Sequence, residues 1–153
     1  MKTFKLEKSI ELLIPIEKAW SFFSNPNNLS NIMPATMQFK VISGANLPLQ
    51  KGQIIKYEVS PLPLYKTNWI SEITEIKKPY FFEDIQLEGP YKLWSHKHYL
   101  KETSKGTRII DIIHYQVPFG VLGRLLHPII IKPKLEAIFR HRTIKIKESF
   151  SQK

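Results

Sequence analysis

Three neighbouring stretches carry the side chains best suited to chemistry: Asp84-Ile85-Gln86-Leu87-Glu88-Gly89-Pro90, Trp94-Ser95-His96-Lys97-His98 and Asp111-Ile112-Ile113-His114-Tyr115. An imidazole held by a carboxylate is a general base near neutral pH, because the carboxylate fixes its tautomer and raises its basicity. The same groups can hydrogen-bond the polar end of a mostly apolar ligand, or form a satisfied network that fixes strand register. His96 and His98 with Asp84 and Asp111 are also metal-ligand types. Paired His without a third fixed ligand, and with partners on opposite sides, is a weak pattern, and no metal is assigned. No nucleophile or oxyanion hole is identifiable. His96, His98, Asp84 and Asp111 therefore stand as acid/base candidates with no catalytic role assigned, and the balance leans away from an enzyme.

These residues meet only if turns place them. Gly89-Pro90-Tyr91 reads as a short hairpin loop, since Gly supplies unusual φ and Pro cannot continue a ladder. Pairing Glu88 with Lys92 sets Gln86 opposite Trp94, Asp84 opposite His96 and Phe82 opposite His98. At the next hairpin, Thr103-Ser104-Lys105-Gly106 is the turn, which places His98 opposite Asp111, His96 opposite Ile113 and Trp94 opposite Tyr115. Cβ atoms directly across antiparallel strands lie about 4.5–5.5 Å apart, so two Asp/His pairs share one sheet face. A slip of one residue would send a whole strand to the other face.

That face carries Phe82, Asp84, Gln86, Trp94, His96, His98, Asp111, Ile113 and Tyr115, which form the expected ligand-binding set. It also adds Leu100, Ile109 and Val117, whereas the opposite face holds Glu83, Lys97 and Arg108, charges that are costly to bury. The first face is therefore read as inward. Ile85, Leu87, Ile110 and Ile112 then lie outside, where a homo-oligomer would cover them. His114, His127 and His141 read as surface or capping residues, and Trp20 and Trp69 as core anchors.

Along the chain, Phe4 to Ile14 alternates as a half-buried strand, Pro15 opens a helix with Ile16, Ala19, Trp20 and Phe23 at helical spacing, and Leu29 to Met33 makes a second short one. Short strands follow at Phe39 to Ile42, Gln53 to Ser60 and Thr67 to Ile76, divided by Gly and Pro signals, before the three stretches above. Pro133 opens the main helix, with Leu135, Ile138, Phe139, Arg142 and Ile146 on one face. Gly120, Gly123, His127 and Pro128 bend its approach and make that segment a candidate gate. The expectation is an α+β chain, one domain over 1–150. A curved seven-stranded antiparallel sheet would carry two short helices after strand 1, with a long C-terminal helix across its concave face.

At 153 residues, with 42% hydrophobic and 24% charged content, the chain can bury a real core. Cysteine is absent, which excludes disulfides and thiolate metal sites. The net charge of +10 is spread along the sequence without the dense cluster that suits nucleic acid. The most basic part contains Lys132, Lys134, Arg140, Arg142, Lys145 and Lys147, and it leaves open a nucleic-acid module or a transient contact with an anionic membrane. No apolar run approaches the ~20 residues of a membrane helix, and the N-terminal residues lack an apolar signal core; a soluble, cytoplasmic protein is expected.

The element order resembles the helix-grip fold of the START-like (SRPBCC) superfamily, which includes polyketide cyclases, the Bet v 1 group and coenzyme Q-binding proteins. Gly106-Thr107 and Pro118-Phe119-Gly120-Val121-Leu122-Gly123-Arg124-Leu125, with the three stretches above, look like a bacterial cell-division-inhibitor-like subgroup, whose label carries no established reaction. The resemblance implies a cavity between sheet and C-terminal helix, expected at ~300–1,000 Å³. A lipid, isoprenoid quinone or aromatic metabolite would sit there, carried or sensed, with no cofactor. The alternative is a cyclase, dehydratase or hydrolase using His96 or His98.

Overall fold

The computed structural model describes residues 1–151. Strand β1 (Phe4–Leu12) is followed by α1 (Ile16–Phe23) and α2 (Leu29–Ile32), then by β2 (Lys40–Ser43), β3 (Ile54–Leu62), β4 (Tyr65–Lys77), β5 (Phe81–Glu88), β6 (Leu93–Glu102) and β7 (Thr107–Gln116). The seven strands form one antiparallel sheet in the order β1-β7-β6-β5-β4-β3-β2, so the chain meanders from β2 to β7 and β1 closes against β7. Pro15 caps α1 in extended backbone, and the helix buries Ile16, Ala19 and Trp20 on one side. Register irregularities interrupt the β3–β4 and β4–β5 ladders. Such bulges bend a strand and increase its twist.

The C-terminal region is helical earlier than Pro133 suggests. Helix α3 (Gly120–Leu126) runs through a π-helical turn (His127–Ile131) into α4 (Lys132–Phe150), and the junction residues His127 and Ile131 keep right-handed helical backbone. Pro128 has no N–H for a regular turn and its ring crowds the preceding one. A wider turn absorbs both defects without ending the helix. Only Gly123 and His127 of this approach are buried. Gly123 must lack a side chain, since a Cβ there would lie 1.8 Å from the Pro118 carbonyl oxygen.

Helix α4 buries Leu135, Phe139, Arg142 and Ile146, a stripe at helical spacing. Lys8 of β1 pairs with Glu136 and ties the helix to the sheet edge. The core beneath it is in two parts. One gathers Ile10, Leu12, Trp20, Ile55, Ile73, Phe82, Leu100 and Ile109. The other gathers Leu6, Trp94, Ile113, Tyr115, Val117, Leu135 and Phe139.

Candidate functional site

The hairpin after β6 forms as its sequence requires: Thr103 N–H donates to the Gly106 carbonyl at 2.9 Å. It sets the β6–β7 register with His98 opposite Asp111, His96 opposite Ile113 and Trp94 opposite Tyr115. Across β5–β6, Asp84 faces His96 and Phe82 faces His98. That ladder ends at Ile85 and Ser95, so the expected pairings of Glu88 with Lys92 and Gln86 with Trp94 are not formed. Gln86 instead folds back on the loop. Its amide nitrogen donates to the Tyr91 carbonyl (2.7 Å) and its oxygen accepts from the Tyr91 N–H (3.2 Å), while Lys92 N–H donates to Gln116 of β7.

The four acid/base candidates form one buried cluster, but their shortest hydrogen bonds run diagonally. His96 Nε2 lies 2.8 Å from Asp111 Oδ1, and His98 Nε2 lies 2.8 Å from Asp84 Oδ2. The directly opposed pair is longer, with His98 Nδ1 at 3.3 Å from Asp111 Oδ1. Both nitrogens of His98 thus face carboxylates, and each donates only if the ring is an imidazolium. His96 directs a single nitrogen at a carboxylate, which a neutral ring protonated at Nε2 satisfies. The imidazoles stack on each other at 3.7 Å, and Phe82 stacks on His98 at 4.0 Å.

Protonation follows this geometry. Burial disfavours the charged form of Asp84, but the hydrogen bond from His98 and the charges of His98, His96 and Arg142 outweigh it and hold the carboxyl below its ordinary value. Burial opposes ionisation of Asp111 too, and hydrogen bonds from both imidazoles push it well below that value. Burial lowers His98, yet its two carboxylate partners raise it above 6.5. Burial and the charge on His98 keep His96 below 6.5 despite Asp111. Burial, then the charge of Asp84, raises Tyr57, which stays a hydroxyl.

A pH dependence of stability follows from these shifts. Above about pH 6.5 the unfolded chain releases the proton that folded His98 keeps, so stability falls as pH rises through the folded pKa. Below about pH 6.5 the unfolded chain takes a proton that folded His96 refuses, and stability falls again. His127, lowered by burial and by Lys132 and Lys2, acts in the same sense as His96. The carboxylates add a further loss only as pH falls below the ordinary Asp range through their depressed values. Urea unfolding between pH 5 and 9 should therefore give a maximum near pH 6.5, and His98→Gln should flatten the alkaline side. An unchanged alkaline side in that variant contradicts the imidazolium assignment.

Asp84, His96 and His98 bring one ligand atom each to within 4.8 Å of one another, a spacing that a metal ion could use. Asp84 and His98 are already hydrogen-bonded to each other at 2.8 Å.

Between the two parts of the core lies a cavity of about 170 Å³. Phe82, Asp84, Trp94, His96 and His98 of the expected ligand-binding set line it, together with Tyr57, Ile73, Trp69, Tyr91, Phe139 and Arg142. It is smaller than the ~300–1,000 Å³ expected of a ligand pocket. The other four residues of the set lie elsewhere. Asp111 stands behind the imidazoles, Ile113 is fully buried packing, Gln86 staples the loop and Tyr115 bonds His127.

Several positions depart from their sequence reading. His127 is no surface residue: it is 6% exposed, 2.7 Å from the Tyr115 hydroxyl and stacked 3.5 Å from the Phe4 ring. Trp69 is only partly buried and lines the cavity, with its edge toward Trp94 at 5.1 Å. Arg142, grouped with the exposed basic residues of the helix, is 8% exposed, lines the cavity and lies 4.7 Å over the Phe139 ring. Its place on the apolar stripe of α4, read from the sequence with Leu135, Ile138, Phe139 and Ile146, is the feature that agrees with this burial.

The fold is helix-grip, of the Bet v 1-like kind: a seven-stranded antiparallel sheet, short helices after β1 and a long C-terminal helix. Crystal structures with this architecture include TTHA0849 from Thermus thermophilus, 12% identical with a TM-score of 0.69 over 97% of this chain and 99% of that one. Ginseng major latex-like protein 151 from Panax ginseng is 15% identical, with a TM-score of 0.69 over 97% of each chain. Ara h 8.0201 is 14% identical, with a TM-score of 0.63 over 93% of this chain and 96% of that one. No protein-family model and no curated protein matches the sequence.

Proposed function

We propose that the chain binds one small apolar or amphipathic molecule between sheet and α4, as a carrier or sensor. The observation that carries this reading is the cavity itself, walled mainly by aromatic and aliphatic side chains, with Asp84, His96, His98 and Arg142 among its polar lining. Soluble domains close such space unless something occupies it, because an unfilled void forfeits packing. A volume of about 170 Å³ is close to the ~150 Å³ of an engineered apolar cavity that admits benzene. The bound group is therefore one ring or its equivalent, and a longer tail would have to extend out of the cavity.

Trp69 and Trp94 line the cavity, so their fluorescence reports on its contents. Titration with single-ring compounds should show saturable change at one molecule per chain. Val59→Phe, which fills the cavity from β3, should remove it while the fold persists by circular dichroism. Equal binding by the filled variant would refute the reading.

A membrane contact accompanies this reading. Phe119, Val121, Leu122, Leu125, Ile129 and Ile130 are all exposed along α3 and the π-helical turn. Exposed apolar runs of this kind mark interaction surfaces. Arg124, Lys132 and the +10 chain charge favour an anionic lipid surface as the partner. No helix among the described residues is long and apolar enough to cross a membrane, so the segment would lie in the interface plane. The basic residues of α4 are less suited to this than their sequence suggests, because Arg142 turns inward and Lys145 pairs with Glu148.

Acid–base catalysis is the second reading, favoured by one observation: His96 is backed by Asp111 and reaches the cavity as a neutral imidazole. A substrate proton near its free nitrogen would meet a usable base.

A further inference from the structure

The two Asp and two His satisfy one another's hydrogen bonds, and Arg142 Nε is left without a partner. Asp84 and Asp111 each bond an imidazole. Arg142 is more than nine-tenths buried, its Nε has no hydrogen-bond partner, and among the described residues its guanidinium forms no ion pair. A buried guanidinium N–H without an acceptor costs free energy that a hydrogen-bonding ligand would recover. Lys134, two turns earlier on the same helix face, also lines the cavity and is likewise without an ion pair among the described residues. At 1.5 Å rise per residue it stands about 12 Å along the helix from Arg142.

Imidazolium His98 and Arg142 together offset the carboxylates of Asp84 and Asp111, so the surplus positive charge of the lining is that of half-exposed Lys134. An anion of low charge suits that balance better than a phosphate dianion. The planar fork of a guanidinium matches a carboxylate bidentately, and the Tyr57 hydroxyl on the cavity wall is a further donor. Most of the remaining wall is apolar, with Ser24, Asn25, Asn28 and Ser71 as neutral polar exceptions, and the space is that of one ring.

We propose that the ligand is a small aromatic monocarboxylate, its carboxylate held by the Arg142 guanidinium and its ring in the apolar part of the cavity. This rests on the ligand-binding reading above and adds the chemical class. Half-exposed Lys134 attracts the anion toward the cavity, and Arg142 retains it.

Calorimetric titration with benzoate and with benzamide, its neutral counterpart of the same shape, tests both levels separately. The wild-type chain should bind benzoate at least about tenfold more tightly than benzamide, because hydrogen bonds to charged groups are the strong ones. Arg142→Gln should weaken benzoate about ten- to hundredfold and leave benzamide within about threefold, which also reports an intact cavity. Arg142→Lys, which keeps the charge and loses the fork, should fall between them; if the Gln variant does not fold, loss of the benzoate preference in the Lys variant carries the same test. Equal affinity for the two compounds in the wild type, or an undiminished benzoate preference in the Gln variant, overturns the carboxylate assignment and leaves the cavity reading standing. Binding of neither compound by the wild type overturns both.

Discussion

Asp111→Ala lowers the unfolding free energy by about 3–5 kcal/mol, the usual cost of removing one partner from a buried ion pair. Asp111 Oδ1 is shared by His96 Nε2 at 2.8 Å and His98 Nδ1 at 3.3 Å, so one substitution strips both imidazoles. His98 is left with Asp84 alone, and Arg142 loses one of the two carboxylates that screen it. Asp111→Asn keeps the shape and an acceptor oxygen and gives up only the charge, so it should cost less than alanine. Urea denaturation near pH 6.5, where the cluster contributes most, gives the comparison. A loss below about 1 kcal/mol, typical of a solvated surface pair, would show that the cluster does not hold its charges out of water.

Leu125→Glu combined with Ile129→Glu abolishes binding to anionic vesicles. Both side chains are exposed on the face that α3 and the π-helical turn present, at 65% and 73%. Full burial of a Leu or Ile side chain in an apolar phase is worth about 1.5–3 kcal/mol. Removing two, at 1.4 kcal/mol per decade, weakens partitioning by about a hundredfold or more before the two new negative charges are considered. Co-sedimentation with vesicles of phosphatidylserine and phosphatidylcholine, against phosphatidylcholine alone, should show wild-type binding to the first that declines with salt. Because these residues make little contact with the core, the double variant should keep the thermal stability and ring binding of the wild type. Unchanged sedimentation of the variant would remove lipid as the partner of this face.

The two experiments divide the molecule as its physics does. The Asp/His cluster is a closed system of charges under the sheet, while the segment before α4 leaves its apolar surface uncovered. The cavity shares His96, His98 and Asp84 with the first and is lined by Lys134 and Leu135 of α4.

Much of this architecture was legible in the residue order. The alternation of β6 and β7 and the Thr103–Gly106 turn set which residues share the inner face, and period-2 patterning needs nothing beyond local chemistry. That face is the one that places Phe82, His96, His98 and Asp111 in the interior. Strand order followed chain order for the same reason, since short turns join neighbours.

What pairs with what inside that face was decided by three dimensions. Sheet twist, about 20–25° between neighbouring strands, swings diagonal side chains together, so His96 bonds Asp111 and His98 bonds Asp84 although their backbones face other partners. The packing of α4 over the sheet turns Arg142 inward onto the cavity, where it is buried and its Nε has no hydrogen-bond partner. His127 is interior because Phe4, more than a hundred residues earlier, and Tyr115 form its walls. Local spacing determines which way a side chain points; only the meeting of distant segments determines what it points at, and the partner sets its charge and its use.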